Sequence, residues 1–295
     1  MSLVYPAPFE YFAPTSLKEA LELLSKYGDE AKILAGGQSL IISMKLRIIS
    51  PKYIIDINNI PNLSYINESE GYLRLGALTR YSDLEYSDLI KSKYPLLYES
   101  VKHLADPIVR NWGTVGGNVC YNHPGNNLPA VMLAYNAEFV ATSLSGSRVI
   151  KATDFFLGPF QTALRQDEIL TEIRIPIPKP RNGGHYIKLE RRVGDFAIIS
   201  TAVNLSLDYD GTVREAGIGI GGASNNPVKV TKAEESLVGN KINDNLIKEV
   251  GKIVTDVIKP VEEPFGPPAD YKKAMAGVVT IRAIKQAIKR ALGGV

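Results

Sequence analysis

The sequence holds one cysteine (Cys120), three histidines (His103, His123 and His185) and one tryptophan in 295 residues. A lone cysteine excludes an intrachain disulfide. It also excludes an iron–sulfur cluster on this chain, which needs about four thiolates. Three scattered histidines do not complete the roughly four ligands of a zinc site. Cys120 reads as a small buried apolar residue rather than a nucleophile. No run of about 20 apolar residues is present to span a bilayer. Met1-Ser2-Leu3-Val4-Tyr5 shows no basic segment leading into an apolar stretch, so no signal peptide is expected and the chain reads as cytoplasmic. A formal net charge of +3 is too small to argue for nucleic acid or an anionic membrane as partner. The basic run Lys188-Leu189-Glu190-Arg191-Arg192 is broken by an acid, and its outer residues read as a solvated strand edge. No Ser/His/Asp constellation, internal repeat or low-complexity segment stands out. Asp106, Asp154 and Asp195 are isolated and read as caps or surface groups.

What is present is ordinary in bulk: 45% apolar and 22% charged residues, in a chain long enough for two or three units with cores of their own. Two glycine-rich stretches stand out. The first is Ile33-Leu34-Ala35-Gly36-Gly37-Gln38-Ser39-Leu40. The second runs from Ala105-Asp106-Pro107 through Arg110 to Thr114-Val115-Gly116-Gly117-Asn118. Glycine permits positive φ and close approach of backbone N–H groups to a ligand, and a turn of such groups forms a nest for phosphate. Either stretch alone reads as a plain turn. Two together could hold a pyrophosphate. The first lacks the G-x-G-x-x-G spacing of a nicotinamide dinucleotide site.

Hydrophobic spacing predicts an α+β fold. Ser16 with Glu19 fits a capping box opening a helix that Gly28 stops. A short strand over 32–34, the Gly36–Gly37 turn, a helix over 39–46 and a strand over 53–57 form a βαβ unit. Its turn aims N–H groups and the helix dipole at an anion. Further on, strands are expected over 72–78, 138–142, 147–150 and 169–175, and helices over 79–86, 95–104 and 128–135. Pro176, Pro178 and Pro180 followed by Gly183-Gly184 mark a boundary. An antiparallel sheet then turns at Asp210-Gly211. Helices near 231–238, 244–258 and 270–292 follow. The last is expected to bury Ala274, Val278, Ile281, Ile284, Ala287, Ile288 and Ala291. The units expected are 1–57, 58–176 and 177–295.

The two stretches, in this order, resemble the FAD-binding medium subunit of aerobic carbon monoxide dehydrogenase and related molybdenum hydroxylases, a module also found within xanthine dehydrogenase. That family reads Ala-Gly-Gly-His-Ser-Leu where this chain has Ala35 to Leu40, with Gln38 for His. It reads Thr-Ile/Val-Gly-Gly-Asn where this chain has Thr114 to Asn118. The resemblance covers nearly the whole chain. It implies a two-part FAD-binding domain, a small βαβ sub-domain plus a larger mixed one, followed by a C-terminal antiparallel sheet with helices. It implies that Ile33, Leu34, Ala35, Gly36, Gly37, Gln38, Ser39 and Leu40, with Thr114, Val115, Gly116, Gly117 and Asn118, grip the FAD pyrophosphate. Leu104 and Ala105 would line the site, and Leu170 would pack against the flavin. Lys188 would lie close to the ring, where a cation favours its reduced anionic form; the plain alternative is a solvated strand lysine. Phe196 stands where related chains carry aromatics and either shields the flavin or packs in the core. Where the family often has an Asp touching the nucleotide half, this chain has Asn127, which can hydrogen-bond a ribose without the charge.

By the same resemblance, the chain is an FAD-dependent electron-transfer subunit in a hetero-oligomer. A molybdenum-binding large subunit would oxidise substrate, and a small subunit with iron–sulfur clusters would pass electrons to FAD here. The molybdenum cofactor and clusters would thus sit on partners, and no catalytic residue is expected on this chain. The alternatives are a self-contained FAD-dependent oxidoreductase, which would need its own substrate pocket and proton donor, and a nucleotide-binding scaffold without redox activity.

Overall fold

A computed structural model describes residues 5–262 and 266–294 of the chain. The α+β expectation holds. The first lobe is a three-stranded parallel sheet in which Tyr53–Asp56 lies between Glu10–Phe12 and Ala31–Leu34. Hydrophobic spacing does not reveal the Glu10–Phe12 strand. At three residues it is too short to show alternation, and its partner lies over 40 residues away. The Leu17–Tyr27 helix covers the sheet through Ala20, Leu21 and Leu24. Ser16 Oγ accepts from Glu19 N at 3.2 Å, and Glu19 reaches back to the N–H of Thr15, one residue earlier than a strict capping box. Gly28 ends the helix with φ +51°.

The middle lobe is built on a five-stranded antiparallel sheet in the order Ile66–Ser69, Tyr72–Gly76, Ile169–Pro176, Glu138–Ser143 and Gly146–Lys151. The Ile66–Ser69 edge strand and the Asp88–Lys93 helix were also missed by periodicity. Short helices, Tyr81–Tyr86 to Asn127–Ala134, close one side. Asn127–Ala134 is buried along its whole length, so it has no polar face to betray its orientation.

The third sheet runs Asn182–Leu189, Ile199–Leu207, Val213–Gly221 and Val228–Lys229, all antiparallel. The turn at Asp210-Gly211 is as expected, with Gly211 at φ +86°. The helices Asp244–Val257 and Ala269–Ala291 pack on this sheet and on each other. The last helix keeps the expected face in its second half, where Ile284, Ala287 and Ala291 are buried and Ile281 and Ile288 pack against the core. In its first half Ala274 and Val278 are exposed, while Ala276, Val279 and Thr280 are buried in their place. The helix–helix contact decides this, because Gly277 lies against the Gly251 backbone and draws that side inward. Among the described residues, no helix is long and apolar enough to cross a membrane.

The middle lobe and the third sheet are joined by an ionic clamp. Glu99, on the Pro95–Lys102 helix, accepts from Arg290 Nη2 at 2.5 Å and from Tyr186 N at 3.0 Å, and lies 2.8 Å from His185 Nδ1. Burial alone would raise the Glu99 carboxyl, but these bonds outweigh it and hold it at about 2. A carboxyl held low in the folded state stabilises the fold above its unfolded value near 4.5, and that share is lost as pH falls toward 2. Glu99→Gln should therefore lower the melting temperature at pH 7, with a loss of about 3 kcal/mol, and flatten the stability profile between pH 4.5 and 2. Thermal melts across that range check it; parallel profiles for the two proteins would remove the clamp from the acid response.

Candidate functional site

The first glycine stretch leaves the C-terminal end of the Ala31–Leu34 strand and enters the Leu40–Lys45 helix through Ser39. In parallel sheets the carboxyl ends of strands are where ligands bind. Gly37 takes φ +73°, a region that costs a side chain strain. The carbonyls of this turn are taken up from within. Ala35 O accepts from Asn58 Nδ2 at 2.8 Å and Gly36 O from Gln38 Nε2 at 3.2 Å. Gly37 O accepts from Ile41 N, and Ser39 O from Ser43 N. Among the described residues, the N–H groups of Gly36, Gly37, Gln38 and Ser39 meet no acceptor. The turn therefore presents four free donors with the Ala35, Gly36 and Gly37 carbonyls behind them occupied and Gln38 O alone without a donor among the described residues, a balance that suits an anion. Ile33, Leu34 and Leu40 flank it, partly exposed.

The second stretch is not the open loop that its glycines suggest. Thr114 caps a helix, Val115–Tyr121, with Oγ1 accepting from Gly117 N at 3.0 Å. Val115 N donates to Thr79 O and Gly116 N to Ala77 O, so both point back into the protein. Gly116 is glycine because Ala77 lies against it; a Cβ there would sit 2.7 Å from the Ala77 Cβ and carbonyl. Gly117 has no positive φ. What this stretch presents outward is the half-exposed Gly117–Asn118 turn beside the Thr114 cap, rather than a row of free amides.

The two stretches touch. A Cβ on Gly36 would lie 2.2 Å from the Trp112 carbonyl oxygen, and one on Gly117 would reach the Ala35 Cβ at 4.0 Å. A polar chain links them that was not foreseen from sequence. Tyr11 donates to Asp56 Oδ2 at 2.6 Å, and Asn58 donates to Asp56 Oδ1 through Nδ2 (2.6 Å) and its backbone N–H (2.9 Å). Arg80 donates to Asn58 Oδ1 at 2.6 Å and to Trp112 O at 2.5 Å. Burial lowers the Arg80 guanidinium from its ordinary range, with Asp83 and Asp56 pulling the other way. The sequence carries one signal of it: Asp56 and Asn58 stand two residues apart at and just beyond the C-terminal end of a parallel strand.

Within the second stretch the Pro107–Trp112 helix leads from Ala105 to Thr114, spanning about 9 Å over its six residues. At its start Ala105 takes φ +43°, and Arg110 donates to the Leu104 carbonyl at 2.9 Å. Lys188 draws the surrounding segments together. Its Nζ donates to His103 O at 2.6 Å, to Asp195 O at 2.9 Å and to the Glu190 carboxylate at 2.6 Å. With a side chain 1% exposed, it is no solvated strand lysine, and Glu190 in the same basic run is its counter-ion. Burial and the nearby Lys188 charge lower the His103 imidazole below its usual range. Phe196 is exposed and stacks on His123 with centroids 3.9 Å apart. Leu170 and Leu104 are buried at the edge of the middle core. Asn127 is buried with Nδ2 on Ser100 O at 2.8 Å, so part of its amide already holds two helices together. Burial pushes the Cys120 thiol up to about 12, which leaves it unreactive.

A small parallel lobe and a larger mixed lobe that meet at a donor-lined turn define a dinucleotide-binding protein. Residues 7–178 match the model of the FAD binding domain in molybdopterin dehydrogenase, and residues 184–287 that of the CO dehydrogenase flavoprotein C-terminal domain. The chain belongs to this family of FAD-binding dehydrogenase subunits. It is 38% identical over 283 residues to the glyceraldehyde dehydrogenase medium chain of Sulfolobus acidocaldarius, covering 96% of this chain and 99% of that one. It is also 38% identical over 285 residues to the carbon monoxide dehydrogenase medium chain of Hydrogenophaga pseudoflava, with 97% and 99% covered. A solved carbon monoxide dehydrogenase chain from Hydrogenophaga pseudoflava superposes with a TM-score of 0.94 at 39% identity over 97% of this chain and 99% of that one. Quinoline 2-oxidoreductase from Pseudomonas putida 86 gives 0.90 at 30% identity, over 98% and 99%. FAD is the cofactor of this domain, and the donor set of the first turn fits its pyrophosphate.

Two measurements address the parts of the site. Gly37→Val should weaken FAD binding by about fivefold to a hundredfold, since strain at positive φ costs on the order of 1–3 kcal/mol; full retention of bound flavin in a folded variant would dismiss this turn as its cradle. Lys188→Met leaves Glu190 without its cation, so the flavin reduction potential should fall. An unchanged potential in an anaerobic titration would confine Lys188 to tying His103 and Asp195 together.

Proposed function

We propose that this chain is the electron-transfer subunit of a multi-subunit molybdenum hydroxylase, taking electrons from iron–sulfur clusters on a small subunit and passing them to an acceptor. When bound, FAD supplies the redox chemistry. In this reading, residues 1–57 and 58–176 hold the cofactor between them and 177–295 complete the flavoprotein. Ile33 to Leu40 bind the pyrophosphate, with Gly36, Gly37, Gln38 and Ser39 as backbone donors. Thr114 to Asn118 close the other side of the gap through the Thr114 cap and the Gly117–Asn118 turn. Leu104, Ala105 and Leu170 wall the ring, Lys188 fixes the two backbone segments beside it, and Asn127 meets the nucleotide half through the part of its amide that Ser100 leaves open.

The observation that carries this reading is the turn of residues 36–39, with four free N–H groups, in a chain whose relatives are medium chains of dehydrogenases. Iron–sulfur clusters and the molybdenum cofactor then belong to partners, because a single cysteine cannot ligate a cluster. Among the described residues, no group of three His, Cys, Asp or Glu side chains gathers where a metal ion could be held.

Anaerobic flavin absorbance distinguishes an electron-transfer subunit from a self-contained enzyme. The lone FAD-loaded chain should keep its yellow colour when an aldehyde or similar substrate is added, and should bleach once the cluster and molybdenum subunits are supplied. Equal bleaching rates for the lone chain and the complex would mean that the chain carries its own substrate chemistry.

A further inference from the structure

The carbonyls of Ala35 and Trp112 stand immediately before Gly36 and Gly113, where the two glycine stretches come together. Gly36 lies so close to the Trp112 carbonyl that only a hydrogen atom fits between them. Two carbonyl oxygens at the rim of an anion site would repel the anion unless something held them back. Each has a side-chain donor on it: Asn58 Nδ2 on Ala35 O, and Arg80 Nη1 on Trp112 O. These donors are coupled, because Arg80 Nη2 donates to Asn58 Oδ1.

Only one orientation of the Asn58 amide satisfies its neighbours. Its oxygen faces a guanidinium, which only donates, and its nitrogen faces a carbonyl and the Asp56 carboxylate, which only accept. Asp56 is itself fixed by the Tyr11 hydroxyl and the Asn58 N–H. Arg80 is anchored at its own backbone: its N–H donates to Asp83 Oδ2 at 2.9 Å. The neighbouring Tyr81 N–H and Thr79 carbonyl pair with Gly113 O and Val115 N. The result is a bracket running from Ala35 in the parallel lobe, through Asn58 and Arg80, to Trp112 in the middle lobe. Arg80 is half-buried, so its charge is less screened from the gap than that of a surface arginine.

Resting on the FAD reading above, we propose that Arg80 and Asn58 are positioning residues for the pyrophosphate: they turn the Ala35 and Trp112 carbonyls away from it, set the width of the gap between the two lobes, and place a cation behind the first turn. Neither needs to touch the cofactor. The ligand part they act on is the diphosphate, not the ring, so any dinucleotide or nucleoside diphosphate in this gap feels them.

The test measures dissociation constants of the full-length chain for FAD and for ADP, which carries the diphosphate without the ring. Both are to be determined for wild type, Arg80→Met, Arg80→Lys and Asn58→Asp, with far-UV circular dichroism and melts as the check on folding. Arg80→Met should weaken FAD and ADP by the same factor, tenfold or more. Arg80→Lys should recover part of the loss, because it restores a cation but not the two-pronged bridge. Asn58→Asp, which sets a carboxylate against Asp56 and the Ala35 carbonyl, should weaken both ligands while leaving Arg80 in place. It serves as the independent variant if Arg80→Met fails to fold. The phosphorus resonances of bound FAD should also shift in the folded variants, which general destabilisation would not produce. FAD and ADP affinities within twofold of wild type in folded variants would overturn the bracket's role, as would a loss of FAD with ADP unchanged. Failure of the wild-type chain to bind FAD would instead overturn the flavin reading on which it rests.

Discussion

A site made of backbone N–H groups attracts an anion only if the carbonyls of the same peptides are occupied elsewhere. That constraint shapes the first lobe of this protein. Each peptide in the turn after the Ala31–Leu34 strand brings an acceptor as well as a donor, and the acceptors of Ala35, Gly36, Gly37 and Ser39 are engaged by Asn58, Gln38, Ile41 and Ser43, which leaves Gln38 O alone without a donor among the described residues. Gly37 supplies the positive φ that lets the turn fold this way, and Gly36 the absence of a side chain where Trp112 comes up against it.

The rest of the chain holds that turn at a fixed distance from its counterpart. The Val115–Tyr121 helix is locked from behind by Thr79 and Ala77, at the end of the middle sheet, so its position follows from that sheet. The middle sheet is in turn bound to the C-terminal sheet. The Asn127–Ala134 helix lies so close to the Val213–Gly221 strand that Gly217 and Gly219 leave no room for side chains against Ala134 and Ala130. The Glu99 clamp closes the same interface from the other end of the middle lobe. Packing in cores of this kind is dense and transmits displacement poorly absorbed elsewhere. The C-terminal part therefore acts as a backing plate for the middle lobe as well as the bearer of Lys188.

Lys188 illustrates how the same residue can be read two ways. In the sequence it sits in a run with two arginines, and a lysine in a strand is usually solvated. In the fold its side chain is enclosed by two backbone carbonyls and one carboxylate, and the pair with Glu190 is close to neutral as a unit. A buried ammonium without that carboxylate would be costly. The pairing explains how a cation can be kept in the interior beside Leu104 and Ala105, and why the segments that hold those residues come together.

Local chemistry made much of this legible from the sequence. The Ser16–Glu19 start and Gly28 stop of the first helix, the βαβ order around Gly36–Gly37, the hairpin at Asp210-Gly211 and the lack of thiolates for a cluster all depend on neighbours within a few residues, or on counts. The tertiary structure alone decided the rest, because the partners lie far apart in the chain. The Thr114–Asn118 stretch looks like a second open loop until Ala77 and Thr79, more than 30 residues earlier, take its amides. Asn58 and Arg80 look like ordinary polar residues until Gly36 is laid on Trp112 and two carbonyls need donors. Which residues turn inward in the first half of the last helix is set by Gly277 meeting Gly251, which no periodicity within the helix records. A sequence specifies where a backbone can turn; which of its donors remain free depends on acceptors brought in from elsewhere, and that is a property of the assembled fold.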